Sequence, residues 1–485
     1  MPLMLLRGLC LKSSLWAGYK FTIWHALLIY AFIRLLSFLT WNHNAANQLI
    51  AALLVAAFAY ICVKKLSFAW LVLVAEFFLN GSGHFFELFG LLSRTWFLGI
   101  FGIIWLTQKV KQDKFNPRLP KNLRFSMLIA GFFILISIVN GFLNQHAGIL
   151  VAQDAILYLF FLLLFPALEM LKYPDATLLK IAQAYILGSA FFSLITFFIY
   201  SSGIGFLPDN YYHWFRNIAA GKITDLGANF FRIVLPEHLF LVPAILIIAA
   251  YLMKDWKDKK LWFYILCSSF VLMLNFSRIY FVGLALGFII LAFKQNLKRW
   301  FGVSAIIAAS IFVMFTSTHL IASRGQSTGL ELLGLRIGGV AAPADELSGA
   351  IRLALLPDIW RTIKLHPWLG SGLGTTVSFV HPTTQLLETR TQFDWGYLEM
   401  LAELGILGTL AYIIFLLIIL YSLARRAYSV VGLANPSSPL LKGLLAGGAA
   451  LFVVNITTPA LFQGFGVLYF VFILIMIQLN HAHQK

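Results

Sequence analysis

The sequence predicts an all-α protein that crosses a membrane many times and carries one large folded loop on a single side. Three observations support this fold class. Hydrophobic residues make up 60% of the 485 residues and charged residues only 11%, apolar runs of about 18 residues or more recur, and one long polar segment interrupts them. Such a composition cannot surround a globular core with a solvated surface, whereas each apolar run can span a bilayer as a helix.

The basic residues indicate how the helices are oriented. The formal net charge is +17 at pH 7, and most of it lies in short loops between apolar runs, as the positive-inside bias of membrane proteins predicts. This distribution argues for a role in topology and against nucleic-acid binding. The most basic loop, 109–124, marks the inner side. The first apolar run, 21–39, lacks a cleavage site of small residues, so we expect an uncleaved span. With both termini inside, the number of spans is even, about 12 to 14.

The apolar pattern divides the chain into four segments: N-terminal spans at 1–200, core spans at 201–317 with an outer loop at 201–230, a large outer loop at 318–393, and C-terminal spans at 394–485.

The large loop is predicted to fold as a helical cap, because it places Leu, Ile and Trp at helical spacing and is far longer than a simple connection. Asp345 is expected to cap one helix, and Pro357 to stand in the first turn of a second. The same amphipathic pattern is typical of a helix that lies on the bilayer surface. The two interpretations are compatible.

Several classes of site are disfavoured by the motifs. Cys10, Cys62 and Cys267 are scattered in apolar context and predict neither a disulfide framework nor a metal site. No Walker motif is present, which argues against an ATP-driven pump. The turn Gly370 to Gly374 superficially resembles a dinucleotide fingerprint but lacks the preceding strand, so we favour a flexible turn that lets the backbone approach the bundle. Neither outer loop contains an Asp-rich pair, so the chemistry is expected to need no metal and no cofactor.

Arginines on the outer side are the most informative residues. Arg278 lies at the tip of a tight hairpin, where the charge bias requires no cation. Arg232 stands at the outer end of its helix and is followed by Glu237 and His238, polar residues that are costly at membrane depth and tend to mark substrate paths. Arginine can grip phosphate through two parallel hydrogen bonds. In the alternative interpretation, Arg232 pairs with Glu237 and Arg278 reaches lipid phosphate.

Three motifs follow one another within roughly 232–423. Ser277-Arg278 precedes an apolar span, Arg352 lies upstream of the segment 366–374, which reads HPWLGSGLG, and Tyr397-Leu398 leads into 401–408, which reads LAELGILG. In order and spacing these motifs resemble the O-antigen ligase and O-antigen polymerase superfamily of bacterial membrane glycosyltransferases.

The resemblance implies a metal-independent glycosyltransferase of surface polysaccharide assembly. Such an enzyme is a multi-pass protein of the bacterial inner membrane, with cytoplasmic termini and a periplasmic cap. It transfers a glycan from undecaprenyl diphosphate to a glycan or lipid A-core acceptor, among membrane lipids and without nucleic acid. By this resemblance, Arg232, Arg278 and Arg352 hold the diphosphate.

One position departs from the family pattern. Ligases of this family resemble one another in a His-Asn pair just before the Tyr-Leu of the closing helix, where this chain has Asp394-Trp395. A carboxylate can serve as general base toward a sugar hydroxyl, so Asp394 is the first candidate, with Glu399, His381 and His366 as rivals. In the alternative interpretation Asp394 caps the following helix. The departure favours a polymerase or another glycan transferase over a lipid A-core ligase.

A lipid-linked glycan flippase or other transporter is the alternative function. It predicts charged residues distributed through the bundle and repeated patterns of spans. The sequence shows no such repeat, and its polar residues concentrate at one face.

Overall fold

A computed structural model describes residues 22–80, 83–112, 119–170, 176–202, 209–341, 347–428 and 438–482. Within these ranges the strands form three two-stranded antiparallel hairpins, and most other residues are helical. The helices are α1 (Ile23–Thr40), α2 (Asn44–Lys64), α3 (Leu66–Asn80), α4 (Ser93–Gln112), α5 (Lys121–Leu143), α6 (Gly148–Leu159), α7 (Leu164–Met170), α8 (Ala176–Ser201), α9 (Asp209–Asn217), α10 (Leu241–Lys254), α11 (Lys259–Asn275), α12 (Arg278–Ala292), α13 (Leu297–Ala322), α14 (Leu330–Ala341), α15 (Leu347–Leu365), α16 (Gly396–Ala427), α17 (Ser438–Val454) and α18 (Gly464–Ala482). The strands are β1 (Glu87–Leu88), β2 (Leu91–Leu92), β3 (Lys222–Asp225), β4 (Phe231–Val234), β5 (Val377–Val380) and β6 (Leu387–Arg390).

The predicted all-α, polytopic membrane fold is confirmed. Eight described segments are long and apolar enough to cross a membrane, and four shorter apolar helices accompany them. One crossing segment, Gly148–Met170, joins α6 and α7 through a 3₁₀ turn at Phe160–Leu163. The predicted range of about 12 to 14 spans requires the shorter helices to cross as well.

The described residues form two compact units, each assembled from separate parts of the chain. The first lies within Met1–Pro117, Pro166–Phe276 and Phe301–Thr328, and the second within Arg118–Phe165, Ser277–Trp300 and Gly329–Lys485. The first unit therefore contains hairpins β1-β2 and β3-β4, and the second contains β5-β6. Helices α7 and α13 contribute residues to both units.

In the first unit, the described part of the loop predicted at 201–230 is folded. It contains α9, β3 and the turn into β4. Trp214 of α9 is almost fully buried, with 1% of its surface exposed. Its ring meets Phe38 edge-on at 5.5 Å, and its indole N–H donates to Ser37 Oγ at 3.2 Å. This aromatic packing, which buries a large apolar surface with its one polar atom bonded, anchors α9 on α1.

In the second unit, α15 runs unbroken from Leu347 to Leu365 with Pro357 inside it. The prediction of two helices with Pro357 in the first turn of the second is therefore wrong, and the predicted cap residue Asp345 lies outside the described residues. A proline within a helix costs about 3 kcal/mol, because it cannot donate a hydrogen bond and crowds the preceding turn.

Burial of one apolar face offsets that cost. Leu355, Ile359 and Ile363 recur every four residues along α15 and are 0%, 0% and 7% exposed. They pack in one cluster with β5 residues and with Phe393. Full burial of each such side chain contributes roughly 1.5–3 kcal/mol, so three of them outweigh the proline. Tertiary packing thus keeps the helix continuous.

Helix α16 is interrupted at Gly405, whose φ of 67° and ψ of −176° are not helical. Amides just after the break and carbonyls just before it consequently lack partners within the helix. Such groups cost several kcal/mol each where no water reaches them. The chain between His366 and Thr375, which we call the glycine turn, supplies those partners.

Four backbone hydrogen bonds join the glycine turn to the break. Ser371 N donates to Ala402 O at 2.8 Å, and Gly372 N donates to Glu403 O at 3.1 Å. In the other direction, Ile406 N donates to Pro367 O at 2.9 Å, and Leu407 N donates to Trp368 O at 3.2 Å. The turn thereby replaces the bonds that α16 loses.

Side chains from α5, from its C-cap residue Asn144 and from α6 bond the other edge of the turn. Asn144 Nδ2 donates to Ser371 O at 2.8 Å, and Gly374 N donates to the carboxylate of Asp154 at 2.8 Å. Asn140 Nδ2 lies 3.3 Å from Leu369 O, which it bonds weakly. The turn is therefore bonded on both edges to helices that are apolar enough to cross a membrane.

Sterics explain why this turn is rich in glycine. Gly370, Gly372 and Gly374 have φ values of +73°, +99° and +78°, a region that residues with a side chain rarely adopt. A Cβ on Gly370 would overlap Glu403 O, and one on Gly372 would overlap the backbone nitrogen of Gly141. This close approach supports the interpretation as a turn that lets the backbone reach the bundle.

We expect Gly372→Ala to destabilise the protein strongly, because it adds a steric overlap with the backbone of α5 to the cost of a positive φ. Gly325→Ala is the matched control, since Gly325 has a similar φ of +85° and a Cβ at this position would meet no atom within 4 Å. The control should lose only about 1–2 kcal/mol of backbone energy. Thermal unfolding of the purified variants measures both effects, and equal losses in melting temperature would contradict the account of the turn.

Candidate functional site

Three of the predicted site residues lie on adjoining elements of the second unit. Arg352 is on α15, while Asp394 and Glu399 flank the start of α16. The indole N–H of Trp395 donates to Arg352 O at 3.1 Å, which ties the two helices together next to Asp394. Phe393, fully buried in the cluster under α15, fixes the chain on the other side of Asp394. The structure therefore brings Arg352 and the two carboxylates into one region.

Asp394 has an uncommon backbone conformation. Its φ is +56°, in the left-handed region, which costs a non-glycine residue of order 1–3 kcal/mol and tends to occur at functional sites. Its side chain is 33% exposed, and a carboxylate oxygen lies 3.6 Å from a guanidinium nitrogen of Arg390. Arg390 also pairs with Glu388 at 3.2 Å. Asp394 is thus a partly exposed carboxylate beside a cation.

The alternative interpretation of Asp394 as a helix cap is wrong. The N-cap residue of α16 is Trp395, without a side-chain capping bond. The carboxylate of Glu399 instead accepts a hydrogen bond from Phe393 N at 2.9 Å. Glu399 is only 4% exposed, so of the two predicted catalytic carboxylates Asp394 is the one accessible to an acceptor.

The rival histidines have different surroundings. Nδ1 of His381 accepts hydrogen bonds from Thr383 N at 3.3 Å and Thr384 N at 3.2 Å, so its ring stabilises the turn between β5 and β6. His366 is exposed just after α15, and its carbonyl accepts a bond from Gly370 N at 3.0 Å. Both remain candidates, although the ring of His381 already has a structural role.

Arg278 is the first residue of α12, directly after the N-cap Ser277. It is half-buried, and one terminal nitrogen donates to Arg336 O of α14 at 2.9 Å. Arg278 thus belongs to the second unit, as Arg352 does. The guanidino Nε of Arg352 is buried without a hydrogen-bond partner among the described residues.

Arg232 belongs to the first unit, where it is half-buried on β4. Its Nε donates to Asn275 O at 2.7 Å. The alternative pairing of Arg232 with Glu237 is wrong, because Glu237 forms a buried ion pair with Arg34 at 3.0 Å. A second terminal nitrogen of Arg34 donates to Leu79 O at 2.6 Å.

The sequence did not single out several polar residues that the structure places in contact with the candidate site or the glycine turn. Arg390 was not considered, although it contacts Asp394. Asp154 was counted only as part of an apolar run, and Glu403 only as part of the motif that carries the family resemblance. A carboxylate within an apolar run is itself a signal, because ionisable groups at membrane depth are rare and tend to be functional.

Within the part of the chain that the structure describes, no group of three or more His, Cys, Asp or Glu side chains is arranged to hold a metal ion. The expectation of metal-independent chemistry stays a prediction.

Comparison with known families adds an independent finding. Residues 263–413 match the family model described as O-antigen ligase, and no protein with a curated description matches the chain. The matched range contains Arg278, Arg352, the glycine turn, Asp394 and Glu399, whereas Arg232 precedes it. The match supports a multi-pass membrane protein with glycosyltransferase-like activity in O-antigen ligase- or polymerase-type assembly of surface polysaccharide. It confirms, over residues 263–413, the predicted resemblance to the O-antigen ligase and O-antigen polymerase superfamily.

Proposed function

We propose that the protein transfers a glycan from undecaprenyl diphosphate to a hydroxyl of a glycan or lipid A-core acceptor. The reaction takes place at the periplasmic face of the bacterial inner membrane, with both termini of the chain in the cytoplasm, and needs no metal. The observation that carries the proposal is the family match at 263–413, because it covers two of the three predicted arginines, the whole predicted cap at 318–393 and both carboxylates of the candidate site.

Arg278 is suited to the diphosphate in two ways. Its planar guanidinium can form paired, charge-assisted hydrogen bonds to phosphate oxygens. It also stands at the N-terminus of α12, where unpaired amides and the helix dipole favour an anion. Arg352 supports this role through its buried Nε, which has no partner among the described residues and therefore favours a polar ligand.

Arg232, in the first unit, is proposed separately as a phosphate-binding residue. The hydrogen bond from its Nε to Asn275 O fixes the plane of the guanidinium, so less side-chain entropy is lost when phosphate binds. Its half-buried position strengthens electrostatic interactions relative to those in bulk water.

Asp394 is proposed as the general base. As the acceptor oxygen attacks the anomeric carbon, the O–H proton passes to Asp394, the bond from that carbon to the diphosphate oxygen breaks, and the diphosphate leaves with the electron pair. A positioned base contributes about 10² to 10⁴ in rate. Support comes from the partial exposure of Asp394, from its contact with Arg390 and from its left-handed backbone conformation.

A transporter of lipid-linked glycans remains the second candidate. The buried Arg34–Glu237 pair favours it, because a transporter is expected to carry charged groups within its bundle. The same pair also has a structural explanation, since Arg34 bonds Leu79 O and stacks over Tyr30 at 3.7 Å. The two functions differ in whether the bond to diphosphate is broken.

Deletion of the protein from its bacterial host distinguishes ligase from polymerase. We expect either lipid A without surface glycan, as a ligase predicts, or lipid A capped by a single repeat unit, as a polymerase predicts. Gel electrophoresis of extracted lipopolysaccharide measures the pattern. An unchanged profile, together with unchanged levels of other surface polysaccharides, would refute the proposed function.

Arg278→Lys should lower the rate of glycan transfer by much more than tenfold (~10-fold is the lower bound). Lysine retains the positive charge but lacks the planar guanidinium that bonds two phosphate oxygens. Arg361→Lys is the control, since Arg361 is exposed on α15 and pairs with Asp358. Both variants are measured for membrane insertion and for glycan output in the deletion strain. Full output from Arg278→Ala would rule out the assigned role.

Asp394→Asn should abolish most glycan output, with a loss of about 10² to 10⁴ in rate, because the amide keeps the size of the side chain but cannot accept the proton. Glu388→Gln provides the matched control, as Glu388 pairs with the same Arg390. Output is compared at equal protein levels. If Asp394→Asn matches the control, the base must be sought at Glu399, His381 or His366.

A further inference from the structure

A buried chain of hydrogen bonds in the first unit ends at Arg232. Glu237 and His238 lie in a short 3₁₀ turn, Pro236–Phe240, between β4 and α10, and they are 2% and 0% exposed. The turn begins a segment that is apolar enough to cross a membrane. Polar side chains within such segments are costly and tend to mark functional sites, yet the mechanism proposed above uses neither of these two.

Neighbouring helices fix the position of the 3₁₀ turn. Arg34 of α1 pairs with the carboxylate of Glu237 at 3.0 Å and donates to Leu79 O of α3 at 2.6 Å. The hydroxyl of Tyr185 on α8 donates to Glu237 O at 2.5 Å. Because Arg34 and Tyr185 are themselves buried, the turn is held inside the bundle, and His238 is held with it.

The ring of His238 accepts hydrogen bonds at Nδ1. The backbone amide of Leu235, which can only donate, bonds this nitrogen at 3.4 Å. Nδ1 therefore carries no proton, so the group of Asn275 that faces it at 3.1 Å is the donating Nδ2. An apolar residue in place of His238 could fill the same space but could not orient this amide.

Asn275 links His238 to Arg232. It is the last residue of α11 and is fully buried, and its backbone O accepts the hydrogen bond from Arg232 Nε at 2.7 Å. Carbonyls in the last turn of a helix lack partners within the helix, and the helix dipole favours a cation at this end. The side chain of Asn275 thus bonds His238 while its carbonyl bonds Arg232, and the chain between these two residues closes a ring of contacts.

This ring restricts the guanidinium of Arg232. The bond at Nε fixes the plane of the group, and with Nε engaged a phosphate is bound through the two terminal nitrogens. A guanidinium that is oriented in advance loses less side-chain entropy when it binds. Movement of Asn275 would move the carbonyl and with it the guanidinium plane.

We propose that His238 and Asn275 are positioning residues for Arg232, an inference that rests on the proposed function. His238 orients the side chain of Asn275, whose carbonyl sets the guanidinium plane of Arg232, and Arg34 and Tyr185 keep the 3₁₀ turn in place. Neither positioning residue touches the substrate in this arrangement. The group they serve is the diphosphate of the lipid-linked donor and not the acceptor.

The competing explanation is that these hydrogen bonds only stabilise the fold. A purely structural role makes the effects of substitutions at His238 and at Arg232 on phosphate binding independent of each other. A positioning role makes them depend on each other, because His238 then acts on the phosphate only through Arg232. Combining the two substitutions in one protein separates these explanations.

The experiment measures the affinity of purified full-length protein in lipid nanodiscs for undecaprenyl diphosphate. His238→Leu removes the acceptor and should weaken binding by about fivefold, the effect expected for loss of one orienting hydrogen bond. His238→Asn places an amide oxygen near the position of Nδ1 and should bind nearly as tightly as wild type. In the Arg232→Ala background, His238→Leu should cause no further loss.

Thr196→Val is the matched control, because it removes a buried hydroxyl of the same unit that bonds the hydroxyl of Tyr211 at 2.7 Å and lies outside the chain to Arg232. It should leave the affinity unchanged. Equal losses from His238→Leu with and without Arg232, or no loss at all, would overturn the inference, as would His238→Asn that binds no better than His238→Leu. If His238→Leu does not fold, Asn275→Ala gives the same test, since it removes the amide but keeps the carbonyl.

Failure of this inference and failure of the proposed function are distinguishable. If Arg232→Ala weakens binding while His238→Leu does not, only the positioning role is refuted. If Arg232→Ala binds as tightly as wild type, the phosphate role of Arg232 and the positioning role fail together. Wild-type protein that binds no undecaprenyl diphosphate refutes the proposed function, and the positioning role with it.

Discussion

The second unit depends on the backbone hydrogen bonds that α16 loses at Gly405 and regains from the glycine turn. Where water is scarce, each unpaired amide or carbonyl costs several kcal/mol, so a broken helix of this kind is stable only with a partner segment. The turn supplies that partner through Ser371 and Gly372 on one side of the break and Pro367 and Trp368 on the other. Because backbone must meet backbone, a Cβ on Gly370 would overlap Glu403 O, and a Cβ on Gly405 would overlap Gly370 N.

These hydrogen bonds between the glycine turn and α16 fix the positions of the candidate site residues. The turn directly follows α15, which carries Arg352, and the break comes two residues after Glu403. Bonding the two segments therefore holds the arginine helix against the helix that bears the carboxylates, and Trp395 completes the link at Arg352 O. A rigid arrangement of this kind is what a glycosyl transfer needs, because a leaving group and a nucleophile must be held in line while a proton is removed.

The sequence was sufficient for the fold class and for the close backbone approach at the glycine turn, because each rests on a local property: long apolar runs, and glycines where the backbone must come close. It failed where contacts between residues far apart in the sequence determine the local structure. Pro357 marks a helix start by local rules, yet burial of Leu355 and Ile359 carries α15 through it. The bond of Asp154 to Gly374 joins residues 220 positions apart, and no periodicity in a single sequence reveals such a pair. The Arg34–Glu237 pair was missed for the same reason.

We propose above all that this protein breaks the bond between a glycan and a polyprenyl diphosphate. Mass spectrometry of lipids extracted from vesicles that contain only the purified protein, an undecaprenyl diphosphate-linked glycan and an acceptor tests it most directly. The account predicts that undecaprenyl diphosphate without glycan accumulates in step with glycosylated acceptor, and that neither forms with Asp394→Asn. An intact donor that merely moves to the opposite leaflet would contradict the account and establish transport instead.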